Sequence, residues 1–149
     1  MTENRWLLAF LGALLLVVIA AYFPWPEATP GAHKYDVTGI VLVNGEPASG
    51  LTVRLHGKNR ELMNQDRLPV GMTDSDGRFQ LSSFGGNDGA AEGEYAVTFF
   101  WPTNVFEPTT DRLGGRFQNP AESKFLVVIP PEPTELPPFE ITLPERELL

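Results

Sequence analysis

The chain has 149 residues, room for one domain of about 100 residues around a single core once an apolar amino terminus is set aside. Its 14 glycines and 14 prolines beside 42% apolar residues describe a turn-rich packed domain and exclude a disordered one. A net charge of −8 excludes phosphate-backbone binding, and the lack of any cysteine excludes disulfides, thiolate metal sites, a cysteine nucleophile and a lipidated cysteine.

Residues 1–5 are polar and carry Arg5, whereas residues 6–23 hold no charge. At 1.5 Å per residue these roughly 18 residues span ~27 Å, close to the hydrocarbon thickness of a bilayer. Two readings compete, a retained signal anchor and a signal peptide cleaved after Ala20 or Ala21. The length of the apolar stretch favours the anchor. So do Val18 and Ile19, which stand just before a cleavage site that prefers small residues, and so do Trp6, Tyr22, Phe23 and Trp25, an aromatic belt at both ends. Arg5 on one side, against Glu27 and Asp36 on the other, places residues 1–5 in the cytoplasm and the bulk of the chain in the periplasm. Ala9, Gly12 and Ala13 give this helix a small-residue surface suited to close packing against integral partners. Pro24 and Pro26 stop the helix, and residues 24–34 form a proline-rich linker.

From residue 35 to 143 apolar and polar residues alternate in short runs broken by turn signals, the pattern of an all-β antiparallel sandwich of about seven strands. Val37, Gly39, Val41 and Val43 share one face, and Asn44-Gly45 is a strong turn dipeptide. Leu51, Val53 and Leu55 continue the alternation with Thr52 and Arg54 pointing out. Phe79 and Leu81, then Tyr95, Val97 and Phe99, then Phe125, Val127 and Ile129, and finally Phe139, Ile141 and Leu143 complete the inward set. A helical period appears only within the loop 58–66, and residues 144–149 are a tail.

The segments VTGIVLVNGEPASGLTVRLHG, GMTDSDGRFQL and GEYAVTFFWP resemble the carboxypeptidase regulatory-like domain of the transthyretin-like superfamily. The likeness extends to short membrane-anchored envelope proteins of planctomycetes and related bacteria. These carry comparable motifs at Asp88-Gly89, at Gly93 to Tyr95, at Asp111 to Phe117 and at Leu136 to Leu143. The resemblance covers residues 36 to 143 and implies an immunoglobulin-like or transthyretin-like sandwich used as an accessory or adhesion module, with no shared reaction.

Asp74-Ser75-Asp76-Gly77 invites a calcium reading, with Asp88 as a further candidate. A helix-loop-helix calcium site needs a bidentate glutamate at position 12, which counted from Asp74 is Gly85, and Arg78 stands where a ligand belongs. The stretch therefore reads as a hairpin turn, with Asp74 bonding the turn and Gly77 at positive φ. His33 and His56 lack a second ligand at any zinc spacing, and no Gly-x-Ser-x-Gly elbow occurs. Lacking the histidines and C-terminal motif of transthyretin-like purine hydrolases, the chain reads as a non-enzyme without cofactor or metal. Phe100, Trp101, Phe106 and Phe117 are the candidate partner-binding residues. They lie in or beside a long loop, 102–123, that either covers the sandwich or leaves an apolar patch, as Ile40, Leu42, Leu126 and Val128 face outward. The expected function is a single-pass accessory subunit that docks its helix and periplasmic sandwich onto a larger inner-membrane protein complex. The alternative is an envelope module binding carbohydrate or another surface, with Trp101, Phe106 and Phe117 stacking on sugar rings beside Asp88 and Asp111.

Overall fold

The computed structural model describes residues 33–59, 62, 68–104, 106–144 and 148, which fall within one compact unit, Ala32–Leu149. Residues 6–23, with Ala9, Gly12 and Ala13, lie outside the described residues, and among those described no helix is long and apolar enough to cross a membrane.

The described residues form eleven strands rather than the seven expected: β1 (Lys34–Tyr35), β2 (Val37–Val43), β3 (Glu46–Pro47), β4 (Thr52–Gly57), β5 (Val70–Met72), β6 (Arg78–Gln80), β7 (Ala90–Ala91), β8 (Gly93–Phe100), β9 (Leu126–Ile129), β10 (Thr134–Glu135) and β11 (Phe139–Ile141). The excess comes from two- and three-residue pieces cut out by the prolines and glycines between them. A 3-10 turn, Pro120–Glu122, capped by the Asn119 side chain, precedes β9. The folded chain is an all-β sandwich. One layer is built around β2, the other runs β5-β4-β8-β9, and β1 pairs with β7 in a small third sheet.

Strand alternation makes the first layer. Val37, Val41 and Val43 turn inward and are fully or almost fully buried, while Thr38 is exposed and Ile40 and Leu42 are half-buried. Asn44 (φ 53°) and Gly45 (φ 84°) both take the left-handed conformation of a tight hairpin turn, which returns the chain as β3 along β2. The expectation of a purely antiparallel sandwich is corrected here, because β10 and β11 run parallel to β2, with Thr134 beside Val37 and Phe139 beside Val41. A parallel pair needs a long crossover, and β2 and β10 have almost the whole domain between them. Pro137 and Pro138, which have no N–H to donate, divide this last run into two strands.

In the second layer β8 is central, its Val53-facing and Leu55-facing residues Phe99 and Val97 buried with Tyr95. The turn between β5 and β6 carries the chain from one layer to the other, and paired main-chain bonds between Val70 and Ser82 (both 2.9 Å) close that edge. The layers meet through rings: Phe139 of β11 packs edge-on to Phe99 of β8 at 5.4 Å and to Phe125, just before β9, at 5.8 Å, while Phe79 of β6 stacks on Phe139 at 6.1 Å within the first layer.

The β1–β7 pairing holds the chain where it enters the domain. Gly89, at φ +77°, sits against it so tightly that an added Cβ would run into the Tyr35 carbonyl. Two substitutions test this packing. Phe139→Ala should lower unfolding free energy by about 3–5 kcal/mol, as for other buried Phe truncations. Gly89→Ala should destabilise by at least ~1–3 kcal/mol from its backbone conformation alone. Urea denaturation of the two variants against the unaltered protein measures both.

Candidate functional site

The outer face of β5-β4-β8-β9 is covered over Ala96 and Thr98 at its centre and exposed toward both edges. The parity that buries Val53, Leu55, Tyr95, Val97 and Phe99 sends Arg54, His56, Thr98, Phe100, Leu126 and Val128 the other way. Met72, Leu126 and Val128 are 63%, 58% and 66% exposed, unusual for large apolar side chains on one sheet face. Two grooves share His56. One of about 590 Å³ runs between Lys58, Ala96, Pro120 and Leu126. The other, about 440 Å³, lies between Arg54, Met72, Thr98, Phe100 and Pro108. His56 Nε2 is 2.9 Å from Thr98 Oγ1, and burial, then the neighbouring Arg54 charge, lowers its pKa, so the ring is neutral at pH 7.

Of the four aromatic residues expected to bind a partner, the structure separates the roles. Phe100 lines the second groove. Trp101 is held down: its Nε1 donates to Ser49 O at 2.8 Å, and the Arg112 guanidinium lies 3.9 Å over the ring. Phe117 packs on the core, edge-on to Phe99 and tilted against Phe125. Phe106 is 92% exposed in the loop, its N–H donating to Asn104 Oδ1. Among the described residues no ring contact joins Trp101, Phe106 and Phe117, so they do not form one stacking platform.

The reason is Asp111. Its buried carboxylate accepts hydrogen bonds from the main-chain N–H of Trp101 (2.9 Å), Leu113 (3.1 Å) and Gly115 (3.0 Å) and from Gln118 Nε2 (2.9 Å). Four donors on one side chain fold the loop upon itself, with Leu113 fully buried beneath. A bare aspartate among glycines offers little signal of this in sequence.

Asp88 plays the same part at the other end. Its oxygens take Lys34 Nζ (2.9 Å), Ser82 Oγ (2.9 Å) and the N–H groups of Ser83 and Phe84, while the Lys34 ammonium also sits 3.7 Å from the Phe84 ring centre. Partial burial raises the pKa of this carboxyl, but the Lys34, Phe84, Ser82 and Ser83 hydrogen bonds outweigh it and hold it well below the usual carboxylate range. Asp74 Oδ1 accepts from Asp76 N and Arg78 N (both 2.9 Å), a side-chain-capped turn closed by Gly77 at φ +72°. Among the described residues no three such side chains are grouped to hold a metal ion, and Asp74, Asp76 and Asp88 are not brought together. Arg54, His56, Thr98 and Met72 were not expected as surface-site residues. Outward parity from Leu51, Val53 and Leu55 is the signal that finds the first two.

Two carboxylate substitutions test these roles. Asp111→Ala leaves three N–H donors without their partner, should cost about 1–3 kcal/mol, and should open residues 102–118 to proteolysis. For Asp88, a folded pKa below the unfolded value of 3.8 means the stabilisation is complete above that value and is lost as pH falls through the folded pKa. The stability difference between the unaltered protein and Asp88→Asn should therefore be constant near neutrality and shrink below about pH 4, as read by denaturation across pH 2–7.

No protein-family model matches the chain, and no curated protein matches it. Among solved structures, a DUF3823 family protein from Parabacteroides merdae is similar at a TM-score of 0.39 and 14% identity. The match covers 74% of this chain and 46% of that one, so the chain spans under half the length of the protein it matches.

Proposed function

We propose that the protein is a non-catalytic accessory subunit whose sandwich docks on a partner protein through the outer face of β5-β4-β8-β9. One observation carries this reading: Met72, Leu126 and Val128 remain exposed beside two grooves, while the loop 102–123, folded onto Asp111, lines those grooves and leaves these side chains exposed. An apolar sheet face of this kind, rimmed by Arg54, Lys58 and Glu94, has the mixed character of a protein interface. The two carboxylates with most partners, Asp88 and Asp111, are consumed in holding turns, which leaves them little freedom for proton transfer or ligation.

The carboxypeptidase regulatory-like resemblance and the apolar residues 6–23 extend the proposal. The chain is then a single-pass inner-membrane subunit, its helix packing through Ala9, Gly12 and Ala13 and its sandwich reaching the periplasmic side of a larger membrane complex. The carbohydrate alternative relied on a shared platform of Trp101, Phe106 and Phe117, and their separate placements give it no support.

The test is co-fractionation. Native membranes are extracted in mild detergent, size-separated, and the full chain followed with its Leu126→Glu and Val128→Glu variants. The unaltered chain should travel in a large particle and each variant should shift to its free size with its melting temperature within a few degrees of the parent. A chain that runs alone, or variants that stay in the particle, would reject the docking reading.

A further inference from the structure

We infer that β9 is a docking edge that accepts a short extended segment of a partner protein as a fifth strand, and that this segment is rich in lysine or arginine. The inference deepens the docking reading and rests on it. It starts from the main chain. Phe125 O accepts the Val97 N–H at 2.9 Å, so Phe125, Val127 and Ile129 aim their N–H and C=O groups at β8. Alternation in an antiparallel pair then turns those of Leu126 and Val128 to the open side. Among the described residues no group bonds them there. The side chains of the same two residues stand free on the sheet face. Donor and acceptor pairs repeating every second residue, ~6.8 Å apart, are matched by another polypeptide strand and by few other ligands.

The edge also states how long the added strand is. Lys124 precedes it, and Pro130 and Pro131, which have no N–H, follow it, so pairing is confined to the four residues of β9. Charge selects the partner. Glu94 lies opposite Val128 across the β8–β9 pair, Glu92 stands two residues before Glu94, and Glu122 and Glu132 flank the strand; all four are exposed, against two exposed cations, Lys124 and the Lys58 that shares a groove with Leu126. A second copy of this chain would bring the same four carboxylates, and another net −8, to an edge only four residues long. A basic segment meets that rim favourably.

The experiment uses the full chain in mild detergent with two synthetic peptides of about ten residues, alternating Val and Thr with either Lys or Glu. At low ionic strength the Lys peptide should bind at least about tenfold more tightly than the Glu peptide, with the difference shrinking as salt rises toward ~0.5 M. Binding should slow hydrogen exchange at the Leu126 and Val128 amides. Val128→Pro removes an outward N–H and no bond to β8, so it should keep the fold and weaken peptide binding about tenfold or more. Because that variant could misfold, a Lys peptide N-methylated along its pairing edge provides an independent probe and should fail to bind the unaltered chain. Equal binding of the methylated peptide, or binding without slowed exchange at Leu126 and Val128, overturns the inference. So does a dimer of the full chain that Val128→Pro dissolves, since a second copy then owns the edge. If the glutamate variants leave the membrane particle while Val128→Pro stays in it, the face docks a partner without strand addition. If all remain in it, the docking reading itself fails.

Discussion

The ring contacts of Phe139 with Phe99, 5.4 Å away, and with Phe125, 5.8 Å away, join one layer of this sandwich to the other. With no disulfide to draw on, the domain depends on apolar burial, and these rings come to the same point from opposite sheets. Parity follows from those contacts. Once Phe99 is inside, Tyr95 and Val97 share its face and Thr98 and Phe100 turn to the opposite one. Once Phe125, Val127 and Ile129 pack toward Phe99, Leu126 and Val128 have nowhere to go but the solvent face. The exposed apolar surface is thus the geometrical complement of the core, and no local change can hide it without turning the core strand over.

What decides whether such a face stays open is the behaviour of the loops around it. Here two carboxylates act as collectors of donors. Asp111 gathers main-chain N–H groups from Trp101 to Gly115, and Asp88 gathers those of Ser83 and Phe84 together with Lys34. Each replaces a stretch of regular strand pairing with a single side-chain hub, which suits segments whose glycines and prolines forbid a ladder. The effect of the first hub is that Trp101 and Phe117 are spent on the domain itself, clamped under Arg112 and against Phe99, while Leu126 and Val128 of β9 stay exposed.

An open edge strand is a hazard in a soluble domain, because it templates pairing with any passing strand. β9 is short, has Lys124 two residues upstream and ends at two prolines, and acidic residues crowd its borders. These features discourage self-association and leave a short, charged seam with defined chemistry. The same restrictions that protect the edge narrow the set of segments able to add to it.

The alternation of apolar and polar residues was enough, read alone, to assign the inward faces of β2, β4, β8 and β11 and to expect a β-sandwich, because a period of two is a local property of the chain. The turns at Asn44-Gly45 and Asp74 to Gly77 were legible for the same reason, since each needs only residues a few places apart. The parallel placement of β10 and β11 was not, because it depends on where the chain re-enters a layer after almost the whole domain has folded between. Nor could sequence alone separate Phe106, exposed, from Phe117, packed against the core, two aromatics in one glycine-rich loop. Their difference is set by Asp111, a hub made of bonds to four residues that become neighbours only when the loop closes. Local periodicity determines faces; which face is left uncovered is decided by contacts between distant parts of the chain.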